Sequence, residues 1–141
     1  MRQNRSVINE LRQVSLFSAC SDAELDMIAR ATTTIHCAAG DVLAKEGTYG
    51  HEFMVIVAGR AQVVAQGRGL AELGPGEFFG EIALLDGGPR TASVIAVTDL
   101  VVEVITQRDF NGLVARAPSL DRKLLAGLAR RLREADLQLV G

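Results

Sequence analysis

A β-sandwich or barrel with helices at both ends is the fold class this sequence predicts, and three observations predict it. Glycines recur at positions 40, 47, 50, 59, 67, 69, 74, 76 and 80, with short β-favouring runs between them. The segments before and after this region lose that texture and show helical spacing instead. At 141 residues, 48% hydrophobic and 23% charged, the chain suits one globular domain with one core. The expected division is helices over 1–31, a β region over 32–106 and helices again over 107–141.

The elements follow in order. Ile8, Leu11 and Val14 form one apolar helix face. Ser21 stands three residues before Glu24, a capping-box spacing, and Leu25, Ile28 and Ala29 follow at helical intervals. Leu16 and Phe17 anchor the turn between these helices. Thr32 to Ile35 opens the β region, and Phe53 to Val57, Ala61 to Ala65 and Leu70 to Leu73 read as strands. Gly59-Arg60, between two such runs, predicts a tight hairpin. Thr91 to Ala96 and Leu100 to Ile105 are the longer strands, with Asp99 as the turn residue between them. Gln107 to Val114 predicts a short helix, and Pro118-Ser119 opens a longer one. On it, Leu125, Leu128, Leu132, Ala135 and Leu139 recur at alternating spacings of three and four. That stripe fits packing on the barrel, or a short helix pair in a homodimer.

Composition argues against several functions. A formal net charge of -2 makes no overall case for nucleic acid. Arg122, Lys123, Arg130, Arg131 and Arg133 form the dense basic group, without an element to read bases beside it. Apolar runs fall well short of the roughly 20 residues of a membrane span, and the N-terminus is polar, so a cytoplasmic protein is expected. Cys20 and Cys37 have neither a CxxC spacing nor a basic neighbour in sequence to favour a redox thiolate. His36 and Cys37 adjoin on a strand and point to opposite faces, which argues against a metal site. Tyr49, Phe53 and Phe110 read as core or turn packing. No nucleophile with a base and no carboxylate pair is evident, so no catalysis, cofactor or metal is expected.

The chemistry concentrates in Gly74 to Val94, GPGEFFGEIALLDGGPRTASV. Turns at Gly74-Pro75-Gly76 and Asp86-Gly87-Gly88-Pro89 bracket a short apolar run, Ile82 to Leu85. A short helix beginning near Gly80 would present free N–H groups to an anion. Arg90 adds a permanent charge and a fork of donors suited to phosphate, with the amides of Thr91 and Ala92 beside it. Glu81 would repel phosphate but accept from a hydroxyl, so together the groups fit a ribose phosphate. The plainer alternative is a Glu81–Arg90 ion pair among turn glycines.

Phe79-Gly80-Glu81-Ile82-Ala83-Leu84, followed by Pro89-Arg90-Thr91-Ala92-Ser93-Val94, resembles the phosphate-binding cassette of the cyclic nucleotide-binding domain family. Leu16-Phe17-Ser18, Gly40-Asp41-Val42, Glu46-Gly47, Gly59 and Leu73-Gly74-Pro75-Gly76 extend the likeness over nearly the whole chain. The resemblance implies an eight-stranded jelly-roll barrel with N-terminal helices and a C-terminal lid helix, the cassette spanning 79–94. It implies that Gly80 and Glu81 hold the ribose, that Ile82 and Ala83 donate to the cyclic phosphate, and that Arg90 pairs with it beside Thr91 and Ala92. It further places the last helix over the base, where Leu124, Leu125, Leu128 and Leu132 are candidates to close the pocket. Arg131 is a candidate to stack on the purine, against a solvated cationic face. The hydroxyl of Thr91 permits cyclic GMP without excluding cyclic AMP.

The expected function is thus a cyclic AMP or cyclic GMP sensor that signals to an effector domain or partner by moving its last helix. Two alternatives are the sensor half of a transcription factor without its DNA-binding part, and a protein-interaction module with weak nucleotide binding.

Overall fold

A computed structural model describes residues 4–80, 88–126, 129 and 133 of the chain. Helices α1 (Asn4–Arg12) and α2 (Asp22–Ala31), joined through a 3-10 turn at Ser15–Phe17, precede eight strands. These are β1 (Thr33–Cys37), β2 (Val42–Ala44), β3 (Glu52–Ala58), β4 (Ala61–Ala65), β5 (Arg68–Leu73), β6 (Phe78–Phe79), β7 (Ser93–Ala96) and β8 (Leu100–Thr106). Helix α3 (Gln107–Arg116) follows, and residues 119–126 are helical again. The strands form two antiparallel four-stranded sheets, ordered β1-β8-β3-β6 and β2-β7-β4-β5.

The first sheet is buried on both faces at its centre, strands β8 and β3, whereas its edge strand β1 is largely exposed. Met54, Ile56, Val102 and Val104 point between the sheets and pack with Phe79, Val94 and Leu73. The alternate residues Phe53, Val55 and Ile105 point outward into a layer built by Leu11, Phe17, Leu25, Ile28, Phe110 and Leu113. Side chains alternate along a strand, so a strand covered on both sides must be apolar throughout. The uninterrupted Phe53-Met54-Val55-Ile56 run meets that requirement, and each of its residues is buried. Glu103 is the exception on β8: it lies on the helix-facing side, 1% exposed, and accepts from the Thr34 hydroxyl at 2.9 Å.

Local signals set the helix ends. Ser21 and Glu24 form the expected capping box, with Ser21 Oγ accepting from the Glu24 amide and Glu24 Oε1 from the Ser21 amide. Thr106 Oγ1 caps α3 by accepting from the Asp109 amide. The expected apolar face holds, with Leu11 and Val14 fully buried and Ile8, partly covered, packed against the same core, and Val7 widens it.

The expected Gly59-Arg60 hairpin does not form. β3 pairs with β6 and β8, whereas β4 pairs with β5 and β7, so residues 59–60 carry the chain from one sheet to the other. Gly59 has φ 92, and a Cβ there would overlap the Asp99 carbonyl oxygen. The Arg60 carbonyl accepts from the amides of Val97 and Thr98, so this corner packs against another sheet-crossing turn, between β7 and β8. The tight hairpin lies instead at Gln66-Gly67, both with positive φ, between β4 and β5. β7 begins at Ser93, two residues later than the expected strand start at Thr91.

Within the described start of the last helix, Leu125 of the expected stripe does not face the core. Leu120 and Leu124, one turn apart, are buried in the helical layer, while Leu125 is 50% exposed. Leu128, Leu132, Ala135 and Leu139 lie outside the described residues. Lys123 Nζ donates to Glu24 Oε1 at 2.5 Å and Ser119 Oγ to Glu24 Oε2 at 3.4 Å, so the residue that caps α2 also holds the last helix.

Two outcomes test this architecture. Gly59→Ala should destabilise the protein by more than ~2 kcal/mol in urea denaturation, since it combines a left-handed backbone with a backbone overlap. Lys123→Met should cost about 1 kcal/mol at neutral pH. The Lys123 ammonium and the Ser21 amide hold the Glu24 carboxyl down at about 2, against an ordinary 4.5. A depressed carboxylate stabilises the fold above its ordinary value and loses that contribution as pH falls toward 2. Acid titration of stability should therefore drop less steeply between those limits in Lys123→Met than in the parent.

Candidate functional site

The segment before β7 is pinned by the loop that leads into β3. The Arg90 amide donates to the Thr48 carbonyl at 2.8 Å, and the Arg90 carbonyl accepts from the Gly47 amide at 2.8 Å. Pro89 bridges to Tyr49, whose side chain is exposed, so Tyr49 serves the turn and not the core. Ser93 Oγ accepts from the Glu46 amide at 2.9 Å, which gives this hydroxyl a structural role in the same clamp.

This clamp turns the Arg90 side chain inward. Its side chain is only 8% exposed, and Nη2 donates to the Glu52 carbonyl at 3.3 Å. The Glu52 carboxylate, 45% exposed, lies 3.6 Å from the same nitrogen. Two glycines make room for the guanidinium. A Cβ on Gly50 would overlap it, and one on Gly80 would sit 3.2 Å from Nη1 and overlap the Glu52 carbonyl oxygen. Gly80 also has φ 90, a backbone that a side chain rarely tolerates.

Beside Arg90 opens a cavity of about 250 Å³. One wall is the second sheet, through Ala44 of β2, Val63 of β4, Ala71 and Leu73 of β5, and Val94 of β7. Phe78, Phe79 and Gly80 form the opposite side, and Gly88 to Ala92 form the rim. A nearly dehydrated cation next to an apolar wall suits a ligand with an anionic end and an apolar or flat body. The Arg90 fork is shaped for the oxygens of such an anion.

Of the residues expected at the site, Gly80, Arg90, Thr91 and Ala92 meet at this cavity. Glu81, Ile82 and Ala83 lie outside the described residues, as do Leu128, Arg131 and Leu132. Leu124 does not line the cavity, because its side chain is buried in the helical layer. Leu125, the other described pocket-closing candidate, is likewise absent from the lining. Sequence reasoning missed Gly50 and Glu52, which shape the arginine's seat, and the wall residues Val63, Ala71 and Leu73. The glycine ahead of the β3 run was a usable signal for the first. The wall residues looked like any other strand residues until two sheets were placed face to face.

The seat of Arg90 continues into the helical layer. Next to Glu52, the His51 carbonyl accepts from the Gln107 amide at 2.6 Å, and His51 Nδ1 lies 3.3 Å from Gln107 Oε1. Gln107 is the first residue of α3. Glu52 is thus one covalent neighbour and one hydrogen bond from a helix end.

The cysteines are separate from this site. Burial and the Glu24 carboxylate push the Cys20 thiol up to about 11, outweighing Lys123. Lys123 is a basic neighbour that the sequence did not reveal, yet the thiol stays protonated at neutral pH. Burial, and then Asp41, also raise Cys37.

A family model for the cyclic nucleotide-binding domain matches residues 34–117. The chain is 41% identical over 105 residues to the cyclic AMP receptor protein of Thermus thermophilus, covering 71% of this chain and 49% of that protein. It is 34% identical over 121 residues to the cAMP-dependent protein kinase regulatory subunit of Hypocrea atroviridis, covering 86% of this chain and 26% of that one. The chain therefore spans half or less of the curated relatives it matches. The crystal structure of a cyclic nucleotide-binding domain from Methylobacillus flagellatus superposes with a TM-score of 0.81 at 25% identity, covering 97% of this chain and 82% of that one. With two antiparallel sheets of four strands, helices on one face and the family model matched from β1 to the end of α3, the chain belongs to the cyclic nucleotide-binding domain family.

Proposed function

We propose that the chain is a non-catalytic, cytoplasmic sensor module that binds a cyclic nucleotide, with cyclic AMP preferred over cyclic GMP. The observation that carries this reading is the Arg90 guanidinium, 8% exposed and seated beside an apolar-walled cavity. The cyclic phosphate would take the guanidinium fork and the amides near Thr91 and Ala92. The purine would lie toward Val63, Ala71 and Leu73. Gly80 and Glu81 would hold the ribose, Glu81 accepting from its 2′-hydroxyl, and Ile82 and Ala83 would donate to the phosphate. The named relatives from Thermus and Hypocrea support cyclic AMP, and Thr91, exposed at the cavity rim, would allow cyclic GMP more weakly.

Binding would signal by exchange of partners at one cation. An incoming phosphate competes with the Glu52 carboxylate, which is now 3.6 Å from Arg90. Release of Glu52 loosens the 51–52 segment, whose His51 carbonyl holds the first amide of α3. The last helix rests on the same layer through Leu120 and Leu124, so a shift of α3 changes which helix position is favoured. An effector domain or partner protein would read that shift. Leu128, Arg131 and Leu132 are the candidates to cover the base.

Titration calorimetry of cyclic AMP, and separately cyclic GMP, into ligand-free protein tests the reading. Saturable binding at one site is expected, tighter for cyclic AMP. Arg90→Ala should lower the affinity by ~2–5 kcal/mol, the scale for one partner of a desolvated charge pair. Gly50→Ala, which retains the arginine but displaces its guanidinium from the seat, should weaken binding as well. No heat and no thermal stabilisation with either nucleotide would refute the proposal.

A further inference from the structure

Away from the cavity, a groove of about 810 Å³ runs between α2 and α3 and shares no residue with the Arg90 site. Its lining includes Met27 and Ala31 from α2 and Gly112 from α3. A Cβ on Gly112 would meet nothing within 4 Å, so the helix surface there is open. Arg30, Arg108 and Arg116 also line it, all exposed. Arg30 is held by Asp26 at 2.9 Å. Arg108 and Arg116 have no ion-pair or hydrogen-bond partner among the described residues. Asp109 is the acidic residue in the lining and offsets part of the positive charge. In a chain of net charge -2, this is a local excess of cations around an apolar strip.

From this juxtaposition we infer that the α2–α3 groove is a docking surface for an acidic amphipathic helix of a partner protein. Spacing chooses the occupant. Arg108 and Arg116 stand eight residues apart on α3, which at 1.5 Å per residue is about 12 Å. One inorganic phosphate or carboxylate would leave the apolar strip of Met27 and Ala31 uncovered. A helix laid in the groove, with carboxylates two turns apart, reaches both while its apolar face meets Met27, Ala31 and the open surface over Gly112. The groove is built on α3, the helix whose first amide is held by the His51 carbonyl, so an occupant would register motion that starts at Arg90. The docking itself does not depend on nucleotide binding.

The test uses the full chain and a synthetic helix-forming peptide of about 18 residues, with Leu and Met on one face and Glu on both flanks. A control peptide carries Gln at every Glu position. Fluorescence anisotropy gives the affinity, and backbone NMR shifts map the contact. The acidic peptide should bind, shift the resonances of Met27, Arg108, Gly112 and Arg116, and weaken as salt rises. The double variant Arg108→Glu, Arg116→Glu should lose about tenfold or more in affinity. Gly112→Leu, which favours the helix and should not unfold the protein, should also weaken binding by covering the strip. Equal binding of the Gln peptide, no peptide binding, or full binding by the charge-reversed variant would overturn the proposal. Tighter binding of duplex DNA or of anionic vesicles through the same arginines would overturn it too. So would self-association abolished by the same substitutions, which would make a second copy the occupant.

Discussion

Burial of the β8-β3 centre of the first sheet on both faces is the constraint on which the rest of this structure depends. Phe53, Val55 and Ile105 on its outer side require a cover, and α1, α2, α3 and the last helix supply one. Met54, Ile56, Val102 and Val104 on its inner side require the second sheet. Phe53 meets Phe17 edge to face and Phe78 at a tilt, with ring centroids 6.0 and 5.4 Å apart, which keys the outer layer. A buried side chain of this size contributes roughly 1.5–3 kcal/mol, so neither cover is dispensable in a domain this small.

The same arrangement creates the cavity beside Arg90. The second sheet closes on the core through Ala61 and Ala96, both buried, but near Gly80 the wall is made of short side chains, Ala44, Val63 and Ala71. Space remains there because the small side chains do not fill it. The 47–50 loop then directs Arg90 toward that space and keeps it there by backbone bonds on both sides. An arginine so enclosed keeps its charge, and holding it away from water is unfavourable unless an anion approaches. Glu52 meets that need incompletely at 3.6 Å, which leaves the guanidinium receptive.

The Arg90 cavity and the helical layer are close because β3 borders both. Its first residue, Glu52, touches Arg90, and its next, Phe53, is packed among the helices. On the far side of the layer, Glu24 joins the start of α2 to Ser119 and Lys123 of the last helix. One carboxylate thus completes the cap of one helix and pairs with another. The groove between α2 and α3 lies within this same layer.

The local codes were legible before any coordinates. The Ser21–Glu24 capping box, the apolar β3 run, the helix opening at Ser119 and the grouping of Gly80 with Arg90, Thr91 and Ala92 all rest on neighbours within a few residues. The errors were of another kind. Gly59-Arg60 has the composition of a hairpin, yet the strands beside it belong to different sheets. Leu125 continues a regular leucine spacing, yet Leu120 and Leu124 are the residues that face the core. Cys20 has no basic neighbour in sequence, but Lys123 comes to it across the fold. Sequence alone therefore determined the family, the class of fold and the residue types of the anion seat, because turn chemistry, periodicity and a contiguous motif are short-range properties. Tertiary structure alone decided which strands share a sheet, which helix face is buried, and that Gly50, Glu52, Val63 and Ala71 belong with Arg90. Those depend on the closure of two sheets, which brings together side chains tens of residues apart that no local pattern links.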